Sequence, residues 1–315
     1  MYTIIKKLYS GHETIAYKVM DDEHGIAALK VPKAQTIADQ IEWLAKQQEA
    51  HDYQQKIKAL ANPAYNVPAP FWFKKFKSLE EELIGDPLTP TLFKSLPAEH
   101  QNKIITGLAN FMNDMNQLKP VLPPEQYVMV TTDEAFDEMI EVLKGAISPK
   151  DVKMLLKMKK SVADIAKGSL VFSHRDFKWE NVFYDKDGGL SIVDFAESGY
   201  RPIYEEFYAP DLFKDLGISD KILEVYRSLP RAQEISLDFD MAKLQIADKL
   251  DLLGIKFQGY LTNSKNSVAA IREIIADIKR IKYDEGQKAI GDYSEYAKLS
   301  PEYTAAYVHN LNLGH

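Results

Sequence analysis

Residues 174–181 read His-Arg-Asp-Phe-Lys-Trp-Glu-Asn, and Asp194 follows Asn181 by thirteen positions in Ser-Ile-Val-Asp-Phe-Ala. An acid, an amide five residues later and a second acid across a short hairpin are the groups that phosphoryl transfer needs. They offer a carboxylate for the attacking hydroxyl and hard oxygen ligands for Mg²⁺. The β-like runs Val182–Tyr184 and Leu190–Val193 flank Asp185-Lys186-Asp187-Gly188-Gly189, a strong hairpin signal. Such a hairpin brings Asn181 and Asp194 to neighbouring strand ends, where both can reach one cation. Oxygen donors without His or Cys suit Mg²⁺ or Mn²⁺ and not zinc. An Asp in a loop after a buried strand is common, and by itself Asp176 reads as a solvated acid. The spacing of the other two sets it apart.

The elements that must hold these residues follow from the rest of the chain. Tyr2–Leu8, Ile15–Met20 and Ile26–Val31 are short β-prone runs, the last two separated by the turn residues Asp21-Asp22-Glu23-His24-Gly25. Thr36–Leu60 predicts a helix, with Ile37, Ile41 and Leu44 and then Tyr53, Ile57 and Leu60 at helical spacing. Val67-Pro68-Ala69-Pro70 ends it. Two more strands are expected at Phe71–Lys77 and Glu81–Ile84, before a turn at Gly85-Asp86-Pro87-Leu88 that suits a hinge. The remainder reads as mainly helical. Ile104, Leu108, Phe111, Met112 and Met115 form an amphipathic core stripe, and 136–167 and 219–290 carry further helical patterns. No internal repeat or low-complexity tract occurs.

Composition sets outer bounds. With 45% hydrophobic and 27% charged residues the chain is an ordinary globular one. Its net charge of −7 argues against general nucleic-acid binding. The absence of cysteine excludes disulfides, thiol catalysis and thiolate metal sites. The N-terminus shows no apolar signal core, and no apolar run is long enough to span a membrane, so the expected location is cytoplasmic.

His174-Arg-Asp-Phe-Lys-Trp-Glu-Asn181 and Asp194-Phe195-Ala196 resemble the catalytic loop and metal-binding motif of protein-kinase-like phosphotransferases. The resemblance implies that Asp176 orients the acceptor hydroxyl and takes its proton. It implies that Asn181 and Asp194 hold Mg²⁺ against the nucleotide phosphates, and that His174 is structural. Lys178 matches a lysine that meets the γ-phosphate in Ser/Thr protein kinases, and reads equally as a solvated lysine. Ala27-Ala28-Leu29-Lys30-Val31 resembles the third-strand signature whose lysine contacts the α- and β-phosphates. A lysine in an apolar strand needs an acidic partner. The family's spacing favours Glu49, while Glu42 lies on nearly the same helix face and periodicity does not separate the two. Ser10-Gly11-His12-Glu13-Thr14 stands where the family places its phosphate-covering loop, which would put Gly11 and His12 at the nucleotide.

Within that superfamily, Glu82-Leu83-Ile84-Gly85-Asp86-Pro87-Leu88 resembles the nucleotide-binding hinge of aminoglycoside phosphotransferase-like and choline kinase-like enzymes. Glu197-Ser198-Gly199-Tyr200-Arg201-Pro202 through Glu206 resembles the segment after their metal motif, in which the acid at Glu206 is structural. The Arg-Asp-Phe-Lys-Trp-Glu-Asn form of the catalytic loop is closer to protein kinases. However, the stretch from Asp194 to Ala209 is short for a peptide-docking segment. The expectation is therefore an α+β, bilobal protein-kinase-like fold. Residues 1–85 would form a small antiparallel nucleotide-binding lobe and 86–315 a helical catalytic and acceptor-binding lobe. The expected reaction moves the γ-phosphoryl group of ATP or GTP to a hydroxyl of a small molecule, with Mg²⁺ required. A Ser/Thr protein kinase and a nucleotide-binding regulator without turnover are the alternatives. Residues 197–251 hold twelve acids against seven bases, which would draw a cationic acceptor if they lined the pocket and are otherwise solvated helix faces. The sequence leaves the oligomeric state open.

Overall fold

In a computed structural model the described residues are 1–10, 14–33, 36–74, 77–82, 85–118, 134–168, 170–186, 188–208, 210–235, 241–261 and 267–291. Gly11, His12, Leu83, Ile84 and the C-terminal tyrosine-rich segment lie outside them. The elements in order are β1 Tyr2–Ser10, β2 Thr14–Asp21, β3 Gly25–Pro32, α1 Ile37–Ala59, β4 Pro70–Lys74, β5 Lys77–Glu81, β6 Asp86–Pro87, α2 Pro90–Ser95 and α3 Ala98–Gln117. There follow α4 Glu134–Leu143, α5 Pro149–Gly168, β7 Leu170–Ser173, β8 Val182–Tyr184, β9 Leu190–Ile192, β10 Gly199–Pro202 and α6 Ile203–Tyr208. The last are α7 Asp211–Leu216, α8 Ser219–Tyr226, α9 Pro230–Ile235, α10 Met241–Leu261 and α11 Ser267–Gly291.

The first five strands make one antiparallel sheet in the order β1-β2-β3-β5-β4. One face of it buries Val19, Ala27, Leu29 and Leu79, flanked by Tyr2, Tyr17, Val31, Phe71 and Trp72. Cross-strand partners share a face, so the register Lys30↔Ser78 and Ala28↔Glu80 puts Lys30, Ser78 and Glu80 together on the other face. The fifth strand differs from expectation. Its polar run Lys77-Ser-Leu-Glu-Glu pairs with β3 and β4, whereas the sequence pattern placed a strand at 81–84. Pairing to an already formed central strand outweighs the weak β-propensity of those residues.

Helix α1 begins where Thr36 caps it, its Oγ1 accepting a hydrogen bond from the Asp39 amide at 3.2 Å. Of the expected apolar positions Tyr53 and Ile57 are buried, whereas Ile37, Ile41 and Leu60 are exposed. Beside them the helix turns Trp43, Gln47, Ala50, His51 and Gln54 inward. It is tied to the sheet along its length: Trp43 Nε1 donates to Thr14 Oγ1 at 2.9 Å, Gln54 Nε2 to Glu80 Oε2 at 3.2 Å, and Lys58 Nζ to Glu81 Oε2 at 2.6 Å.

Helix α3 buries the predicted stripe Ile104, Leu108, Phe111, Met112 and Met115. It also carries a buried polar set that the stripe does not reveal. Asp114 accepts from Tyr65 Oη at 2.7 Å and Asn62 Nδ2 at 2.8 Å, while Asn116 receives Tyr226 Oη at 2.6 Å and donates to the Phe172 carbonyl at 2.9 Å. The last of these bonds fixes α3 to β7, the strand that leads into residue 174.

The chain divides into two compact units, the described residues of Met1–Pro124 with Leu170–Leu237 and those of Glu125–Ser169 with Asp238–His315. The first holds the sheet and every described candidate residue named above. The second packs α4, α5, α10 and α11, with an ion pair between Lys279 and Asp151. No helix among the described residues is long and apolar enough to cross a membrane.

Candidate active site

The candidate loop is built on a neutral histidine. Strand β7 delivers His174 fully buried, in an aromatic nest with ring centroids of Phe195 at 5.0 Å, Phe177 at 5.1 Å and Phe111 at 5.9 Å. Its Nε2 lies 2.8 Å from the Val193 carbonyl and so carries the proton. Its Nδ1 then accepts from the Asp176 amide at 3.4 Å. Burial pushes the imidazole below its ordinary pKa, and the Val193 hydrogen bond and nearby Asp194 and Asp176 only partly oppose this. A ring held between the backbone of Asp176 and that of Val193 fixes the catalytic-loop candidate relative to the metal-site candidate.

Arg175 takes φ of 63°, an unfavourable value for a residue with a Cβ. The turn is held because buried Arg201, on β10, donates from Nη2 to the Arg175 carbonyl at 3.0 Å. Asp176 emerges half-buried. Its Oδ2 receives Asn181 Nδ2 at 2.8 Å and Lys178 Nζ at 2.7 Å, and Asn181 Nδ2 also reaches the Asp176 carbonyl at 3.0 Å. Because the amide nitrogen is spent on Asp176, Asn181 has its Oδ1 available as an oxygen donor.

The hairpin β8–β9 pairs Val182 with Ile192, and the Val193 amide donates to the Asn181 carbonyl at 3.0 Å. Asp194 therefore follows directly across from Asn181. It adopts φ 68° and ψ 69°, the left-handed region, and its carboxylate makes no hydrogen bond or ion pair among the described residues. A carboxylate and an amide oxygen, both uncommitted, form a donor set that fits a hard cation such as Mg²⁺ and does not fit zinc.

Lys30 pairs with neither Glu49 nor Glu42. Its Nζ lies 2.7 Å from Glu80 Oε1, while Glu49 and Glu42 are exposed and Glu42 faces Lys46 at 3.7 Å. The acid comes from β5 because the Lys30↔Ser78 register sets Glu80 diagonally opposite on the same face. Burial alone would lower the Lys30 pKa, but Glu80 and then Asp194 attract the ammonium strongly enough to raise it. Lys30 is therefore charged, and it lies within the electrostatic reach of Asp194. Glu82 at the hinge is engaged by Lys18 Nζ at 2.7 Å. Beyond it Gly85, at φ 135°, runs so close to β8 that a Cβ would stand 2.9 Å from the Tyr184 carbonyl. That approach joins the hinge strand β6 to the hairpin carrying Asn181 and Asp194.

Two residues that complete this arrangement, Glu80 and Arg201, were not singled out from sequence for these roles. The acid two residues beyond the cross-strand partner of Lys30 becomes visible only once the register is known. Arg201 had a signal, its place in the Gly-Tyr-Arg-Pro segment, but nothing marked it as the support of the Arg175 carbonyl.

Residues 5–209, well over half of the chain, match the phosphotransferase enzyme family (APH), and the chain belongs to that family. It is a kinase-type phosphotransferase with the bilobal α+β protein-kinase-like fold. Among solved structures, the gentamicin complex of APH(2")-IIa superposes with a TM-score of 0.53 at 14% identity, over 87% of this chain and 91% of that one. The GDP complex of wild-type aminoglycoside 2'-phosphotransferase-IIIa gives 0.56 at 14%, over 88% and 93%. ADP-bound APH(2'')-Ib gives 0.51 at 14%, over 86% and 91%. Identities this low speak for the fold. No curated protein matches the chain.

Proposed function

We propose that this phosphotransferase moves the γ-phosphoryl group of ATP or GTP to a hydroxyl of a small molecule. The observation that carries the reading is the convergence of Asp176, Asn181 and the uncommitted Asp194 about one corner of the β8–β9 hairpin, facing a charged Lys30. In this reading the Oδ2 of Asp176 is occupied by Asn181 and Lys178, which leaves Oδ1 to accept the acceptor's proton. The acceptor oxygen bonds to the γ-phosphorus as the bond to the β,γ-bridging oxygen breaks, and the nucleoside diphosphate leaves. Lys30 holds the α- and β-phosphates and Lys178 offsets charge on the transferring group. Asn181 and Asp194 would hold Mg²⁺, which supplies positive charge at the phosphate oxygens. Glu82 and the adjoining hinge residues Leu83 and Ile84, with Gly11 and His12, complete the proposed nucleotide contacts. A small molecule is favoured over a protein as acceptor because the neighbours named above are complexes of aminoglycoside phosphotransferases.

Incubation with γ-labelled ATP or GTP and Mg²⁺, against panels of aminoglycosides, amino alcohols, sugars and generic protein substrates, tests this. Label should pass to a member of the small-molecule panels and fall by roughly a hundredfold or more in Asp176→Ala. Transfer to protein alone would support the protein-kinase alternative. Nucleotide binding without transfer to any acceptor would support a regulator.

A further inference from the structure

We infer that Glu80 on β5, and not an acid on α1, is the residue that positions Lys30 for the nucleotide phosphates. The inference rests on the nucleotide-site reading above and adds to it the residue on which that site depends.

The geometry is specific. Lys30 and Glu80 project from adjacent antiparallel strands on one face, offset by a single diagonal step, and meet at 2.7 Å. Glu80 is almost wholly buried, with 5% of its side chain exposed, and its other oxygen accepts from Gln54 at 3.2 Å. A carboxylate this deep must be paired and hydrogen-bonded on both oxygens, and it is. The helix is built to match. Gln47, His51 and Gln54 stand at i, i+4 and i+7 on the buried face of α1, two amides and an imidazole whose pKa burial lowers. That face is neutral, so α1 brings no charge to Lys30, and the acid paired with the lysine comes from the strand. An acid at Gln54 would add like charge within hydrogen-bond distance of Glu80.

The arrangement has a mechanical consequence. An ion pair internal to one hydrogen-bonded sheet keeps its length whether or not α1 moves. Lys30 is therefore held ready by β-sheet register, with α1 contributing only a neutral hydrogen bond from Gln54.

Calorimetric titration with Mg·ATP and Mg·GTP tests the inference in wild type, Lys30→Met, Glu80→Gln, Glu49→Gln and the Lys30→Met/Glu80→Gln double variant, with folding checked by thermal melting. Glu80→Gln should weaken nucleotide binding roughly tenfold or more. In the Lys30→Met background it should change nothing further, because Glu80 acts through the lysine. Should Glu80→Gln not fold, Glu80→Asp, which keeps the charge and withdraws it by one methylene, should show the same loss and the same silence beside Lys30→Met. Unchanged affinity in Glu80→Gln while Lys30→Met binds weakly would overturn the inference and leave the nucleotide site standing. So would additive losses, or an equal loss in Glu49→Gln. Equal binding by wild type and Lys30→Met would instead overturn the nucleotide-site reading, and the inference with it.

Discussion

His174, Asp176, Asn181 and Asp194 show how far single residues could be read. Their spacing announced a hairpin with oxygen donors at its end, and the β8–β9 pairing supplies it. What spacing could not announce is how each atom is committed, such as Asn181 Nδ2 spent on Asp176 or the His174 proton spent on Val193. Those facts depend on side-chain rotamers fixed by distant packing. Glu206 is a further case, legible as a structural acid and now given a titration. It is 1% exposed, and burial raises its carboxyl to about 7 although Arg201 and a Ser173 hydrogen bond pull it down. Between about 4.3, the value expected for an unfolded chain, and about 7 the native state binds the extra proton, so this group's contribution to stability falls as pH rises. Glu206→Gln removes that dependence. Its melting temperature relative to wild type should climb by about 3 °C between pH 5 and 7.5. A difference constant with pH would show that Glu206 does not titrate in this window.

Secondary structure was legible where apolar residues recur at one period and illegible where pairing imposed the structure. The stripe of α3 and the strands β2 and β3 stand where the pattern placed them. The strand β5 does not, because Lys77-Ser-Leu-Glu-Glu carries little β signal and gains its structure from β3 and β4. That displacement left Glu80 between the two expected strands, while the family's spacing directed the Lys30 pairing to Glu49 on α1. In α1 the expectation held for Tyr53 and Ile57 and failed for Ile37 and Ile41, which are exposed. Beside Tyr53 and Ile57 the helix buries amides and a histidine, which meet the polar side of the sheet. Element packing also predicts a sensitive glycine. A Cβ on Gly107 of α3 would stand 2.6 Å from the Ala64 carbonyl and 2.7 Å from Leu190 Cδ2. Gly107→Ala should therefore cost about 1–3 kcal/mol of stability in denaturant unfolding, despite alanine's better helix propensity. A neutral or stabilising result would mean that α3 can withdraw from β9 and from the segment between α1 and β4 without loss.

For the molecule as a whole, an antiparallel sheet followed by helices was readable in sequence order, and so was membership of the kinase-like superfamily. The division into compact units was not. Glu125–Ser169 joins Asp238–His315 across an intervening segment that belongs to the first unit, and no local signature marks such a partnership. The lobe boundary expected near residue 85 falls inside the first unit, which keeps the sheet and the β8–β9 hairpin together. The central claim is that this unit forms one magnesium-nucleotide site. Calorimetric titration of ATP and GTP into wild type and Asp194→Ala, with and without Mg²⁺, tests it most directly. The account predicts that Asp194→Ala weakens binding about tenfold or more and that withdrawing Mg²⁺ weakens wild type far more than the variant. Equal affinities in the two proteins, or equal dependence on Mg²⁺, would contradict it.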